Sequence, residues 1–307
     1  MTPDPLPLRV LAPAKVNLGL FLGPTRNDGR HELVSVMQSI SLADELTLEG
    51  APPGVEGDEV LCEGVGGENL AARALELFRD ATGWERWVRL RIDKRIPVAA
   101  GLGGGSADAA ATLRLAREAS GLGDEELLFV LARELGADVP AQVVPGRWLA
   151  TGAGEVLEEL PDPVSPVGVL VLPQAVGLST AEVYARADRL GIARDAYFMG
   201  ERLRALRRAL ELGTGLPTEE CLLHNDLQRA SLELCPAIER ALEQAVEVGA
   251  DVTFVSGSGP TVVGLFARAN ALARAQRAAA GLRDREPAPL VGECVGKDFA
   301  RVQRLGA

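Results

Sequence analysis

The segment Pro97-Val98-Ala99-Ala100-Gly101-Leu102-Gly103-Gly104-Gly105-Ser106-Ala107-Asp108 restricts this chain more than any other. Four of the five positions from Gly101 to Gly105 are glycine, more than a tight turn needs. The spacing predicts a strand before the loop, Trp87 to Ile92, and an Ala- and Leu-rich helix after it, Ser106 to Ala119. Glycine lets the backbone curl into positive φ and approach a ligand, while the free amides and positive dipole end of the helix attract phosphate oxygens. Ser106 stands where it can cap that helix and offer its hydroxyl. The loop therefore reads as a phosphate cradle, with a capped turn as the plainer alternative. No lysine follows the glycines, which removes the Walker A class. A dinucleotide fingerprint using Gly101, Gly103 and Ser106 stays open as a rival, although roughly ninety residues of mixed structure precede it instead of the usual single strand.

Elsewhere the pattern alternates between strand and helix periods. Val16, Leu18, Leu20 and Leu22 alternate with Lys15, Asn17, Gly19 and Phe21, the period of a half-buried strand, so Lys15 and Asn17 share one face. A second extended region runs from about Leu33 to Leu48, and Leu70, Ala74, Leu77, Phe78 and Ala81 have helical spacing. Asp124 to Leu135 opens on an acidic turn and stops at Gly136, the signature of a helix. Three prolines between Leu160 and Pro166 mark a domain boundary. Beyond it lie a strand at Val167 to Leu172, charged helices, strands near Asp251 to Val255 and Thr261 to Phe266, a helix, and a last strand near Leu290 to Val295.

Length and charge narrow the function classes. With 307 residues, two domains are the natural expectation. The balance of 32 basic and 43 acidic side chains, net −11, argues against a nucleic-acid or anionic-membrane binder, because both need a basic face. Any anionic ligand must be held by local devices. Cys62, Cys221, Cys235 and Cys294 are scattered without metal-ligand spacing, which predicts buried free thiols and fits a cytoplasmic protein. No apolar run approaches the length of a membrane span, and the Pro-rich start from Met1 to Pro7 lacks a signal-peptide core.

Three stretches, in this order, resemble the motifs of the GHMP kinases, the superfamily of galactokinase, homoserine kinase and mevalonate kinase. They are Pro13-Ala14-Lys15-Val16-Asn17-Leu18, the glycine-rich loop, and Val255-Ser256-Gly257-Ser258-Gly259-Pro260-Thr261. Asp28-Gly29-Arg30-His31-Glu32-Leu33, Lys94-Arg95-Ile96-Pro97, Gly136-Ala137-Asp138-Val139-Pro140 and Asn225-Asp226-Leu227 further resemble the family of 4-diphosphocytidyl-2-C-methyl-D-erythritol kinases. The resemblance implies an α+β, two-domain GHMP kinase-like fold. An N-terminal α/β domain is expected at residues 1–160 and a C-terminal ferredoxin-like domain at 161–307, with ATP and a small polyol substrate meeting between them. The implied reaction is ATP-dependent phosphorylation of the substrate's 2-hydroxyl in the non-mevalonate isoprenoid pathway. Other GHMP kinases of the homoserine or mevalonate type, and a non-catalytic nucleotide binder, are the alternatives.

The resemblance also assigns roles. Asp138 is expected to take the proton from the acceptor hydroxyl with Lys15 beside it; a nearby ammonium keeps a carboxylate ionised and steadies charge on the transferring phosphoryl. On local sequence alone, Asp138 reads first as a helix N-cap ahead of Pro140, and the motif match reverses that reading. The loop residues Pro97 through Ala107 are expected at the phosphates, and Asn69 and Lys94 on the adenosine side. Asn17, His31, Thr180, Tyr184, Gly257 and Ser258 are expected on the substrate side. Arg30 stands where the family usually has tyrosine, and its planar guanidinium is expected to lie over the cytosine ring opposite Tyr184. Mg²⁺ is expected with ATP, with no protein ligand assigned to it.

Overall fold

Two unusually long strands organise the molecule. The computed structural model describes residues 5–64, 69–211, 216 and 222–305, so Cys221 lies outside the described residues. Strand β1 (Leu8–Thr25) and strand β2 (His31–Gly50) pair antiparallel from Leu8↔Leu48 to Thr25↔His31. Asp28 and Gly29 close the turn: Gly29 takes φ +80°, and Asp28 Oδ1 accepts the Arg30 amide at 3.0 Å. The register shifts between Pro13 and Ala14, where proline has no amide to offer the ladder. The residues of one parity on β1 then change neighbours along the strand. Leu8, Val10 and Ala12 pack among the helices, whereas Ala14, Val16 and Leu18 pack with residues of a second sheet.

Strand β2 is long enough for two partners along its other edge. Its second half takes β4 (Val88–Asp93), which continues to the parallel β3 (Glu59–Cys62); its first half takes β5 (Arg147–Gly152), followed by β6 (Val156–Leu160). Helices α1 (Leu70–Thr82), α2 (Gly104–Ser120) and α3 (Glu125–Leu135) pack on this sheet through Phe78, Leu113, Leu115 and Leu131, and the short α4 (Pro140–Val143) follows.

The second sheet has the order β10-β7-β9-β8, antiparallel throughout: β7 (Gly168–Leu172), β8 (Val252–Val255), β9 (Val262–Phe266) and β10 (Leu290–Glu293). With α8 (Ala237–Glu247) and α9 (Ala271–Gly281) against it, this is a ferredoxin-like arrangement. Helices α5 (Thr180–Arg189), α6 (Ala196–Glu211) and α7 (Gln228–Leu234) bridge toward β1. The chain then returns to the first sheet, where β11 (Gln303–Arg304) pairs with Leu8 and Arg9. The overall class is the α+β fold expected. Among the described residues no helix is long and apolar enough to cross a membrane, and Cys62, Cys235 and Cys294 are free thiols.

The half-buried character expected for β1 is corrected. Ala12 through Gly23 are buried continuously, because the helices and, further along, the second sheet with α6 pack against the strand. Lys15 and Asn17 are only 6% and 2% exposed. Their sequence pattern resembled a solvated face because polar side chains aimed into a cleft alternate just as surface ones do.

Candidate active site

The helix after the glycine-rich loop begins two residues earlier than the sequence indicated. Gly103, not Ser106, is the N-cap of α2, with φ +69°, and Gly104 and Gly105 are already helical. A left-handed cap excludes a β-carbon at low cost, whereas Ser106 in the third helical position cannot cap. The amides from Gly103 to Ser106 precede the first intrahelical bond, Ala107 N to Gly103 O at 2.9 Å, and carry the positive end of a 17-residue helix.

Two cavities meet at this helix end and share Gly103 and Ser106 as wall. One, of about 310 Å³, is lined by Asn69, Lys94, Asp108 and the loop from Pro97 to Gly105 apart from Gly101. The other, of about 370 Å³, holds Lys15, Asn17, Asp138, Thr180, Tyr184 and the Gly257-Ser258 pair. An elongated anion lying across the helix end would reach both.

In the larger cavity the Lys15 ammonium is the hub. Nζ donates to Asn17 Oδ1 at 2.7 Å and lies 3.3 Å from Asp138 Oδ2. Asn17 donates onward to Ser35 Oγ at 2.8 Å, and Ser35 to the Gly19 carbonyl at 2.8 Å, so the lysine's orientation is fixed from behind. A buried ammonium with one carboxylate leaves room for a further anion without leaving charge uncompensated. Asp138 is not a helix cap: α4 begins after Val139, and no side chain caps it. Asp138 is about one third exposed and faces the cavity. Burial and the nearby Asp138 carboxylate together push the Tyr184 phenol up to about 12.

The third motif closes the site by backbone contact. A β-carbon on Gly101 would come within 2.4 Å of the Ser256 carbonyl, and one on Gly257 within 3.2 Å of Asn17 Oδ1 and 3.4 Å of Lys15 Nζ. Ser256 Oγ donates to the Gly101 carbonyl at 3.2 Å, and the hydroxyls of Thr180 and Ser258 are 3.0 Å apart. These glycines are therefore needed for close approach, beyond making a turn.

In the smaller cavity Lys94 is tied down more firmly than its strand-end position suggested. Its ammonium donates to Asp44 Oδ2 at 2.5 Å and Asp108 Oδ2 at 2.8 Å. Asp44 also accepts the amides of Arg95 and Ile96. Asp108 is 4% exposed; burial raises its carboxyl to about 7, with Lys94 opposing and Asp44 adding to the rise. Asn69 caps α1 by accepting the Ala71 amide at 2.8 Å and also lines the cavity.

Two expected residues stand apart. Arg30 is exposed, with Nε and Nη2 on Asp28 Oδ2, and is absent from the lining of both cavities. His31 is buried behind the wall, Nδ1 2.9 Å from the Gly23 carbonyl and Nε2 2.9 Å from Asp188, its ring 5.9 Å from that of Tyr184. Sequence reasoning missed Ser35 and Met37 on β2 and the Ala153-Gly154 turn in the wall. Only the last left a signal, the glycine pair Gly152 and Gly154. Among the described residues no cluster of three His, Cys, Asp or Glu side chains is placed to hold a metal ion.

Two family models match the chain, "GHMP kinases N terminal domain" over residues 69–146 and "GHMP kinases C terminal" over residues 200–282. A 4-diphosphocytidyl-2-C-methyl-D-erythritol kinase of Anaeromyxobacter dehalogenans is 41% identical over 292 residues, covering 90% of this chain and 88% of its own length. The chain belongs to this family of GHMP kinases. A relative of the same name from Pelotomaculum thermopropionicum is also 41% identical, over 85% of this chain and 89% of its own. The crystal structure of a 4-(cytidine 5'-diphospho)-2C-methyl-D-erythritol kinase superposes with TM-score 0.75 at 35% identity, covering 94% of this chain and 99% of that one. A homoserine kinase from Cytophaga hutchinsonii, at 17% identity and TM-score 0.74, shares the fold. The protein is thus an ATP-dependent small-molecule kinase.

Proposed function

We propose that this kinase transfers the γ-phosphoryl of ATP to the 2-hydroxyl of 4-diphosphocytidyl-2-C-methyl-D-erythritol in the non-mevalonate route to isoprenoids. The observation that carries the reading is the Lys15–Asp138 pair beside the amide-rich end of α2, with the larger cavity opening from it toward Tyr184. ATP lies with its adenosine in the smaller cavity, near Asn69, and its phosphates across Gly103 to Ser106. Asp138 accepts the proton of the acceptor hydroxyl as that oxygen attacks the γ-phosphorus and ADP departs. Lys15, already 3.3 Å from Asp138, faces the charge developing on the phosphoryl oxygens. Tyr184 supplies an aromatic face for the cytosine ring, backed by His31, while Thr180 and Ser258 present hydroxyls at the same wall. Mg²⁺ would accompany the triphosphate and offset its charge, with no protein ligand assigned to it.

The test is direct transfer. The chain is incubated with ATP and, separately, the cytidyl acceptor, homoserine and mevalonate, and the product is identified by mass and by phosphorus NMR. A monophosphate ester appearing only on the cytidyl acceptor supports the reading; an ester only on homoserine or mevalonate sinks it.

A further inference from the structure

In the motif Asn225-Asp226-Leu227, Leu227 lines the larger cavity, while Asn225 and Asp226 stand behind it and hold two of its walls together. The motif's backbone pairs with β1: Leu20 N donates to the His224 carbonyl at 2.7 Å, and Asp226 N to the Leu20 carbonyl at 2.9 Å. Asp226, buried, adds a third bond by accepting the Leu22 amide at 3.0 Å and is itself held by Arg194 at 2.9 Å. The segment is thereby fixed to the strand that carries Lys15 and Asn17.

Asn225 reaches from that anchor to the opposite wall. Its side chain is buried; Nδ2 donates both hydrogens, to the Val255 carbonyl at 2.6 Å and the Gly257 carbonyl at 2.7 Å, while Oδ1 accepts the Leu227 amide at 2.9 Å. One amide group thus spans the end of β8 and the loop whose Gly257 lies against Lys15 and Asn17. Two donors and one acceptor at this reach are what an asparagine provides; aspartate has no donor, serine has one, and glutamine is a methylene longer.

We propose that Asn225 is a positioning residue that sets the gap between the Lys15–Asp138 pair and the Gly257-Ser258 loop, and so the alignment of the acceptor hydroxyl. This rests on the reading of the larger cavity as the acceptor site. Misplacing reacting groups by about 1 Å costs on the order of 10² in rate, whereas the phosphate seat at Gly103 to Ser106 is built by a different element.

Asn225→Asp, Asn225→Ser and Asn225→Ala are compared with wild type for steady-state transfer, for affinity and stoichiometry of a non-hydrolysable ATP analogue, and for amide hydrogen exchange at residues 255–260. The expected result is a fall in kcat of about 100-fold for Asn225→Asp and Asn225→Ala, with Asn225→Ser between them and wild type. Nucleotide stoichiometry stays intact, its affinity changes less than about threefold, and exchange at 255–260 speeds up. The proposal is overturned by a kcat within about threefold of wild type in Asn225→Asp, by nucleotide stoichiometry falling in step with activity, or by unchanged exchange in that segment. A wild-type chain that fails to phosphorylate the cytidyl acceptor counts against the substrate reading, and the exchange result then decides the role of Asn225 on its own.

Discussion

At the scale of single residues, the proposed mechanism rests on a carboxylate, Asp138, that does nothing for the helix after it. Because Asp138 caps nothing and faces Lys15, Asp138→Asn is expected to keep ATP affinity and melting temperature while kcat falls by about 10²-fold or more. Calorimetry for the nucleotide and a coupled ADP assay check both halves; near-normal turnover would reduce Asp138 to a bystander. Stacking is expected to fall mainly on Tyr184. Tyr184→Ala should raise KM for the cytidyl acceptor roughly tenfold, while Arg30→Ala, whose guanidinium is held by Asp28, should change it by less than about threefold. Lys15, Asn17 and Asp138 were legible because their motifs name them. The anchoring of Lys94 was not, since its partners Asp44 and Asp108 lie 50 and 14 residues away in sequence and no local spacing brings them together.

At the scale of elements, the proposed phosphate seat depends on a cap geometry that only glycine adopts cheaply. Gly103 has φ +69°, and a β-carbon there would lie 2.9 Å from Lys15 Cγ, so Gly103→Val strains the loop and displaces the lysine together. Calorimetry should show ATP affinity reduced by an order of magnitude or more in a folded variant, and unchanged affinity would remove the loop from the site. The helices were read to within a few residues because apolar spacing and Gly stops mark them: Leu70 to Ala81 became Leu70–Thr82, and Asp124 to Leu135 became Glu125–Leu135 with Asp124 as its cap. The strands were underestimated. Nothing in the local pattern shows that β1 extends from Leu8 to Thr25 through a proline, because a bulge absorbs Pro13 and long-range pairing with β2 pays no heed to it.

At the scale of the whole molecule, stability should carry the imprint of one buried carboxyl. The Asp108 group is raised from the ordinary aspartate range to about 7, so its contribution to folding is fully present below the unfolded value, about 4, and is lost as pH rises through about 7. Asp108→Asn stays neutral throughout. Relative to wild type its Tm should therefore improve between pH 5 and pH 8, by about 2–4 °C for each kcal/mol recovered, and a difference that is flat over this range would refute the assignment. The return of the chain to its first sheet escaped the sequence entirely. A two-residue strand has no period to detect, yet β11 pairs with β1, and Arg114 donates to the carbonyls of Ala300 and Leu11, tying tail, helix and strand together.

The junction between the second and third glycine motifs has a consequence for how such a fold diversifies. Gly101 lies against the Ser256 main chain and accepts the Ser256 hydroxyl, and Gly257 meets Asn17 and Lys15 with no side chain of its own, so the proposed seat of the phosphates is written largely in backbone shape. The facing wall, with Leu20, Leu33, Met37 and Tyr184, is made of side chains. The side chains of that wall can therefore be exchanged residue by residue while the backbone contacts across the cleft stay in place. A TM-score of 0.74 to a homoserine kinase at only 17% identity shows how far side chains can change while the backbone frame is kept.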